Sequence, residues 1–491
     1  MPLTRHRAAG PLPAMTSRAD IQGLRALAVL FVVLGHAGLL GVTGGYVGVD
    51  VFFVLSGFLI TSILLHEATR RGSLSLVGFY AKRARRILPA ATLALIGTAI
   101  AATVIVPYVR AEAILKDVAW SALFAANIHF GDARTDYFAA NQPPSPVQHY
   151  WSLAVEEQFY LVWPALIVGA LIVGARRSPS TVRRRVPALA IAVAVLSVLS
   201  LVWSIAQTQT HPAAAYFSTP ARCWELGAGA LLAFFGQSLP RLSKRLRSLV
   251  AAVGLGMVLT AGFTFTEATP VPGYHMLLPV LGTVALIAAG SGSTEATRPA
   301  VVRLLGKQPL RWIGDVSYGF YLWHWPFLIL GQAYVGHSLD LTTRVALIGG
   351  ALMLAWISYE LLENPIRRAQ TLSLRPKLAL LMCRSRSGAW WWSTSARTPT
   401  SATSEIWSPP RPPRSTCPYC RSRSECRAPA IRSTTHSRTP WIGRRSTFRK
   451  RRSTTSRRRS DHGWMTRAAG RRRLSCRMTS ARSATSAASD G

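Results

Sequence analysis

Apolar stretches long enough to cross about 30 Å of hydrocarbon as helices recur along the first 370 residues. Ten such segments are indicated: 21–40, 47–66, 88–107, 151–173, 187–206, 221–236, 249–266, 275–290, 315–331 and 343–361. The fourth begins with a polar, aromatic stretch, and the sixth and eighth are short. The pattern predicts an all-α, polytopic membrane protein with about ten transmembrane helices.

The basic residues between these segments lie in alternate connections. Lys and Arg are concentrated in four of them, at 70–86, 176–185, 241–247 and 298–311. The intervening connections contain almost none, and the long one at 108–150 balances its basic residues with acidic ones. By the positive-inside rule, both ends of the region are cytoplasmic. We therefore expect a multi-pass protein of the plasma (inner) membrane with a cytoplasmic N-terminus.

Composition agrees with a membrane protein, because 49% of the 491 residues are hydrophobic and the mean hydropathy is +0.23. The formal charge of +37 is unevenly distributed. Residues 371–491 contain 27 Lys+Arg against 4 Asp+Glu, whereas residues 1–370 contain 30 against 16. Of the six cysteines only Cys223 precedes residue 371, so disulfides do not support the membrane part.

The chain changes character after Pro365. The expected division is a cytoplasmic segment at 1–20, a membrane domain at 21–367, and a basic Arg/Ser-rich tail at 368–491. The tail lacks hydrophobic periodicity, which predicts disorder. It is open to three interpretations: a basic arm for nucleic acid or anionic lipid, an inert extension, or a shifted reading frame. The frameshift is favoured because an incipient apolar helix, KLALL, stops without a turn signal.

Arg25 and His36 in the first segment are the sharpest chemical signal. Eleven residues at about 100° each come to about 1100°, just over three full turns, so both side chains share one helix face, roughly 16 Å apart. Such residues in an apolar helix usually face a bundle interior and mark a substrate or proton path. The alternative is that neighbouring helices merely satisfy them.

Depth along the segments predicts two polar clusters. An inner basic cluster joins Arg25 to the loop residues Arg83, Arg85 and Arg86, and guanidinium groups suit a phosphorylated donor. An outer mixed cluster suits general-base or nucleophilic work on a hydroxyl; its members are His36, Asp50, Glu156, Glu157, Arg222, Glu225 and His324. Three alternatives stay open. The first is that the loop arginines are there only because cytoplasmic loops are basic. The second is that Arg222 and Glu225, at i and i+3, simply pair with each other. The third is that only one of the two adjacent glutamates lines a cavity.

At these residues the chain resembles the acyltransferase-3 family of multispanning membrane acyltransferases, over roughly residues 18–367. The matching features, in order, are the Arg25/His36 spacing, GVDVFFVLSGFLI at 48–60, the R-x-x-R of Arg83 and Arg86, WSLAVEEQFYLVWP, ARCWELGAG, SYGFYLWHWP and ELLENPIRR. Seven such blocks in sequence are highly specific.

The resemblance implies a cytoplasmic acyl-CoA donor and transfer to a hydroxyl, usually of a sugar. It implies that His36 is the essential base or transient acyl carrier and that Arg25, Arg83 and Arg86 hold the CoA phosphates. From their depth, we expect catalytic roles beside His36 for Asp50, Glu157 and His324, and substrate-binding roles for Glu156, Arg222, Glu225 and Tyr318. No metal and no permanently bound cofactor is expected, with acetyl-CoA or a similar acyl-CoA as co-substrate.

The expected acceptor is a cell-envelope polysaccharide, peptidoglycan or a lipid-linked precursor within the bilayer. The alternatives are a small glycosylated metabolite or, from a different class, a proton-coupled transporter or exporter. Long relatives add an eleventh helix and an extracytoplasmic SGNH-type domain. KLALL begins such a helix, but no GDS-type block follows. The expected partners are therefore acyl-CoA, the carbohydrate and a separate SGNH-type transferase, with no nucleic acid.

Overall fold

A computed structural model describes residues 18–71, 74–133, 144–177, 182–235, 243–294 and 296–368, without the side chains of residue 71 and of 171–185. The predicted disordered tail and most of the predicted N-terminal segment lie outside these residues. The described part of the chain contains helices and no strand.

Fifteen α-helices occupy the described residues. They are α1 Ala19–His36, α2 Val47–Arg71, α3 Leu76–Ile105, α4 Tyr108–Ala122, α5 Ala126–Asp132, α6 Tyr150–Arg177, α7 Val182–Thr210, α8 Pro212–Phe217, α9 Thr219–Phe235, α10 Lys244–Thr264, α11 Leu277–Gly290, α12 Ala300–Leu305, α13 Leu310–Val335, α14 Leu341–Ser358 and α15 Asn364–Arg368. A single π-helical turn, Tyr359–Glu363, joins α14 to α15.

All ten predicted apolar segments fall on helices of this series: α1, α2, α3, α6, α7, α9, α10, α11, α13 and α14. Within the part of the chain that the structure describes, seven helical stretches are long and apolar enough to cross a membrane, namely Ala19–His36, Val47–Arg70, Leu76–Ile105, Tyr150–Ala170, Val186–Thr210, Lys244–Thr264 and Leu341–Arg368. The all-α, multi-pass membrane architecture is therefore confirmed.

The third apolar segment, predicted at 88–107, belongs to a helix that begins twelve residues earlier. Helix α3 starts at Leu76, where the side chain of Ser75 accepts a hydrogen bond from the Gly78 amide and caps the first turn. The capped helix then runs unbroken into the apolar stretch. Consequently Arg83 and Arg86 lie on a helix, one turn apart, and not in the predicted loop.

Helix packing brings distant segments together around the polar interior. Helix α1 packs on α13 and α2, while α2 packs on α9. The α2–α9 contact is so close that a Cβ on Gly57 would clash with the Leu226 carbonyl oxygen, and one on Gly229 would clash with that of Val54. Only glycine permits this backbone approach.

Candidate active site

An open cavity of about 970 Å³, counting its mouth, lies between α1, α2, α3, α6 and α13. About half of its lining is apolar, which is typical of small-molecule sites. The polar lining side chains are Arg25, Ser56, Arg83, Arg86, Ser152, Glu156, Glu157, Tyr160, Ser317, Tyr318 and Tyr321. Six of them, Arg25, Arg83, Arg86, Glu156, Glu157 and Tyr318, are candidates that the sequence singled out.

Three of the four arginines of the predicted inner cluster line this cavity, whereas Arg85 is buried outside the lining. Arg25 extends from α1 and donates to the Gln22 side chain over 3.3 Å. Arg83 and Arg86 extend from the same face of α3, because residues three apart are neighbours on a helix. Three guanidinium groups from two helices therefore converge on one space, as predicted for these three residues; we call this part of the cavity the arginine end.

The structure moves Glu156 and Glu157 out of the predicted outer cluster. Arg83 Nη2 lies 3.5 Å from Glu157 Oε1 and 4.0 Å from Glu156 Oε1, and its guanidinium carbon sits 3.6 Å from the centre of the Tyr160 ring. Ser56 and Tyr160 both donate hydroxyl hydrogen bonds to Glu156. Both glutamates line the cavity, so the expectation that only one would do so is wrong.

The two strongest sequence candidates for acid–base chemistry are directly joined. His36 Nδ1 lies 3.0 Å from His324 Nε2, and His324 Nδ1 lies 2.6 Å from the Tyr321 carbonyl oxygen. A carbonyl oxygen only accepts, so His324 carries its proton on Nδ1 and presents the Nε2 lone pair to the N–H of His36. With both rings neutral, this tautomer leaves the lone pair of His36 on Nε2, the state that a general base requires.

Tyr321 connects the histidine pair to the cavity. Its side chain is part of the cavity lining, while its backbone carbonyl fixes the tautomer of His324. His36 and His324 themselves are not lining residues, and the ring of Trp325 packs on His36 with centroids 4.4 Å apart. The histidine pair therefore borders the cavity through Tyr321, about three helical turns along α1 from Arg25.

Asp50, Arg222 and Glu225 form a separate buried cluster. Arg222 Nη1 lies 2.8 Å from Asp50 Oδ1 and 3.1 Å from Glu225 Oε1, and all three residues are at most 2% exposed. The rings of Trp151 and Tyr216 stack near the guanidinium at 5.3 and 5.2 Å. These three candidates do not line the cavity, so the predicted outer cluster is in fact three groups: this one, the His36–His324 pair, and the two glutamates beside Arg83. The expected i, i+3 pairing of Arg222 with Glu225 is present.

Tyr318 lines the cavity as predicted, and its hydroxyl donates to the Ile87 carbonyl of α3 over 3.1 Å. Sequence reasoning missed Tyr160 and Tyr321. The spacing of Tyr160, four residues after Glu156, was a usable signal because i, i+4 side chains meet on a helix. Tyr321 contacts His324 through its backbone carbonyl oxygen. Every residue has such a group, so the amino-acid sequence gives no sign of this contact.

Comparison with known proteins identifies the family. A family model described as "Acyltransferase domain" matches residues 18–360. The peptidoglycan O-acetyltransferase OatA of Listeria monocytogenes is 32% identical over 362 residues, covering 71% of this chain and 56% of the relative. The O-acetyltransferase OatA of Staphylococcus aureus is 30% identical over 359 residues, covering 71% and 57%.

The chain therefore belongs to the acyltransferase-3 family, as the sequence motifs indicated. It spans somewhat more than half the length of these curated relatives. No solved structure matches it.

Proposed function

We propose that this protein is an O-acyltransferase that moves an acyl group, in the first instance acetyl, from acyl-CoA to a carbohydrate hydroxyl. The observation that carries the proposal is the continuity of the site. Three arginines line one end of a cavity whose wall residue Tyr321 also holds the His36–His324 pair. The names of the curated relatives support acetyl as the group and peptidoglycan as the acceptor.

The arginine end suits the phosphates of CoA, because guanidinium groups bind phosphate oxygens bidentately. Arg83 is already compensated by Glu156 and Glu157, so we expect Arg25 and Arg86 to contribute most of the phosphate binding. The distance of roughly 16 Å along α1 between Arg25 and His36 is comparable to the reach of a pantetheine arm. A donor bound there would bring its thioester towards the histidine pair.

The transfer step balances with His36 as general base. Nε2 of His36 removes the acceptor hydroxyl proton while the hydroxyl oxygen attacks the thioester carbonyl carbon. The carbon–sulfur bond then breaks, and the departing thiolate takes the proton from His36 as CoA thiol. His324 Nε2 accepts the Nδ1–H of His36 throughout and so stabilises the transient imidazolium.

We place the arginine end and the N-terminus on the cytoplasmic side of the plasma membrane, where acyl-CoA is made, and the histidine pair towards the outer side. The acceptor is an envelope polysaccharide, peptidoglycan or a lipid-linked precursor. A separate extracytoplasmic SGNH-type transferase would complete delivery to a polymer.

The test uses membranes that contain wild type, His36→Ala or the control His337→Ala, an exposed histidine between α13 and α14. Radiolabelled acetyl-CoA is supplied, and label is followed into envelope glycan. We expect His36→Ala to lose transfer by at least about 100-fold, the usual effect of removing a general base, with normal insertion. The control should match wild type.

Wild-type labelling by His36→Ala would refute the proposal. No labelling by correctly inserted wild type, with any acyl-CoA tested, would instead favour the proton-coupled transporter.

A further inference from the structure

His149 is a third histidine beside the pair, and the site described so far does not use it. It directly precedes α6 and is fully buried, with 0% exposure. Among the described residues, neither of its ring nitrogens has a hydrogen-bond partner. The Leu322 backbone acts on the ring only weakly, outside ordinary hydrogen-bond geometry, so an oxygen in good geometry would replace it as the acceptor.

The ring of His149 packs against His324 and Tyr321. Its centroid lies 5.5 Å from that of His324, at an interplanar angle of 76°, and 5.3 Å from that of Tyr321. His149 is therefore next to the residue that sets the tautomer of His36, and on the same wall as the cavity residue Tyr321.

The backbone of His149 is held firmly. The Tyr321 hydroxyl donates to the His149 carbonyl over 3.1 Å, and the Ser152 hydroxyl lies 3.2 Å from the same oxygen. The two hydroxyls also lie 2.7 Å from each other. Because Tyr321 and Ser152 both line the cavity, the network that fixes His149 is continuous with the cavity wall.

A fully buried polar ring without a hydrogen bond of ordinary geometry is unusual, since the large majority of buried polar side-chain atoms are hydrogen-bonded. A polar side chain that lacks a hydrogen bond and has a fixed backbone is already positioned to bind a polar atom of a ligand. The neutral imidazole offers one N–H donor and one acceptor. The base role next to it is already filled by His36, with His324 behind it.

The site described so far has no residue that would donate a hydrogen bond to the oxygen of the reacting carbonyl group. When a hydroxyl attacks a thioester, the carbonyl oxygen becomes negatively charged, and enzymes stabilise that charge with fixed N–H groups. We propose that His149 donates a ring N–H to the acyl carbonyl oxygen during transfer. The proposal rests on the acyl transfer proposed above.

The electrons balance without a proton leaving His149. The hydroxyl oxygen forms the new bond to the carbonyl carbon, and the carbonyl π electrons move to the oxygen that His149 contacts. On collapse these electrons re-form the carbonyl as the carbon–sulfur bond breaks. Proton transfer runs only from the hydroxyl to His36 and on to the thiolate.

The test compares His149→Phe, which keeps a ring without polar atoms, with His149→Gln, which keeps an N–H donor. The full-length protein in membranes is assayed for kcat and the donor KM, and the purified protein in detergent for its unfolding temperature. His337→Phe is the matched control on an exposed histidine.

We expect His149→Phe to lower kcat by about 100- to 1,000-fold, the usual effect of losing one oxyanion donor, with the donor KM nearly unchanged. We expect His149→Gln to recover at least about tenfold over Phe, because its amide N–H can replace that donor. The unfolding temperature of His149→Phe should equal or exceed that of wild type, because an unsatisfied buried polar group is removed.

A wild-type kcat in His149→Phe would overturn the proposal. An equal loss of kcat in His149→Phe and His149→Gln would also overturn it and would indicate that His149 acts as a base. Loss of both kcat and unfolding temperature in Phe would assign it a structural role. If wild type transfers no acyl group, the proposed function fails instead, and the unfolding temperature alone still reports whether the ring is unsatisfied.

Discussion

At the scale of single residues, the three cavity arginines are not equivalent. Arg83 is paired with two carboxylates and lies over the Tyr160 ring. Within the described residues, Arg25 and Arg86 have no carboxylate at ion-pair distance. A phosphate that enters the cavity would therefore gain most from Arg25 and Arg86, whereas Arg83 holds Glu156 and Glu157 in position.

We expect Arg86→Gln to raise the donor KM by about 10- to 100-fold, since hydrogen bonds to charged groups contribute roughly 1.5–3 kcal/mol. Steady-state kinetics with varied acetyl-CoA measures the effect. Arg70→Gln, an exposed arginine near the end of α2, is the matched control and should leave KM unchanged. An unaltered KM in Arg86→Gln would remove the phosphate role.

At the scale of helices, the site depends on the contact of α2 with α9. The helices approach closely at Gly57 and Gly229, and Arg222 of α9 joins Asp50 of α2 in a dry environment. Helix α2 also carries Ser56, whose hydroxyl donates to Glu156 in the cavity. The α2–α9 contact therefore supports one wall of the cavity from outside.

Gly57→Ala should destabilise the protein by about 1–3 kcal/mol, the usual cost of overpacking. The added Cβ meets the Leu226 backbone, which cannot move without separating the helices. Gly256→Ala in α10, where a Cβ meets open space, is the control and should be neutral or slightly stabilising. Thermal unfolding in detergent compares the two, and equal unfolding temperatures would show that the α2–α9 contact is not tight.

At the scale of the whole molecule, the alternating basic connections predict which loops face the cytoplasm. Leu40, 79% exposed, lies in the connection between α1 and α2, which contains no Lys or Arg. Lys307, also exposed, lies in a basic connection before α13. The proposed orientation places the first outside and the second inside.

In a variant with all six cysteines replaced by serine, Leu40→Cys should react with a membrane-impermeant thiol reagent on intact cells. Lys307→Cys should react only after the cells are opened. Each residue serves as the control for the other. The reverse labelling pattern would show that the protein has the opposite orientation, with the arginine end outside and away from cytoplasmic acyl-CoA.

Much of the site was predictable because it follows from positions along single helices. Arg25 and His36 share a face by spacing, and Arg83, Arg86 and Tyr318 reach the cavity as expected. The errors concern partners. Depth placed Glu156 and Glu157 with His36, whereas the rotation of α6 about its axis turns them towards Arg83. His149 is not among the predicted site residues, and the structure buries it completely beside His324.

The all-α membrane architecture, the ten apolar helices and the family follow from the amino-acid sequence, because hydrophobic length and motif spacing are local properties of the chain. Which polar groups meet depends on how the helices pack. Ser56 and Glu156, Asp50 and Arg222, and His36 and His324 are 100, 172 and 288 residues apart. Such pairs form only when packing fixes the rotation and height of each helix, which close glycine contacts and buried ion pairs specify and hydropathy does not.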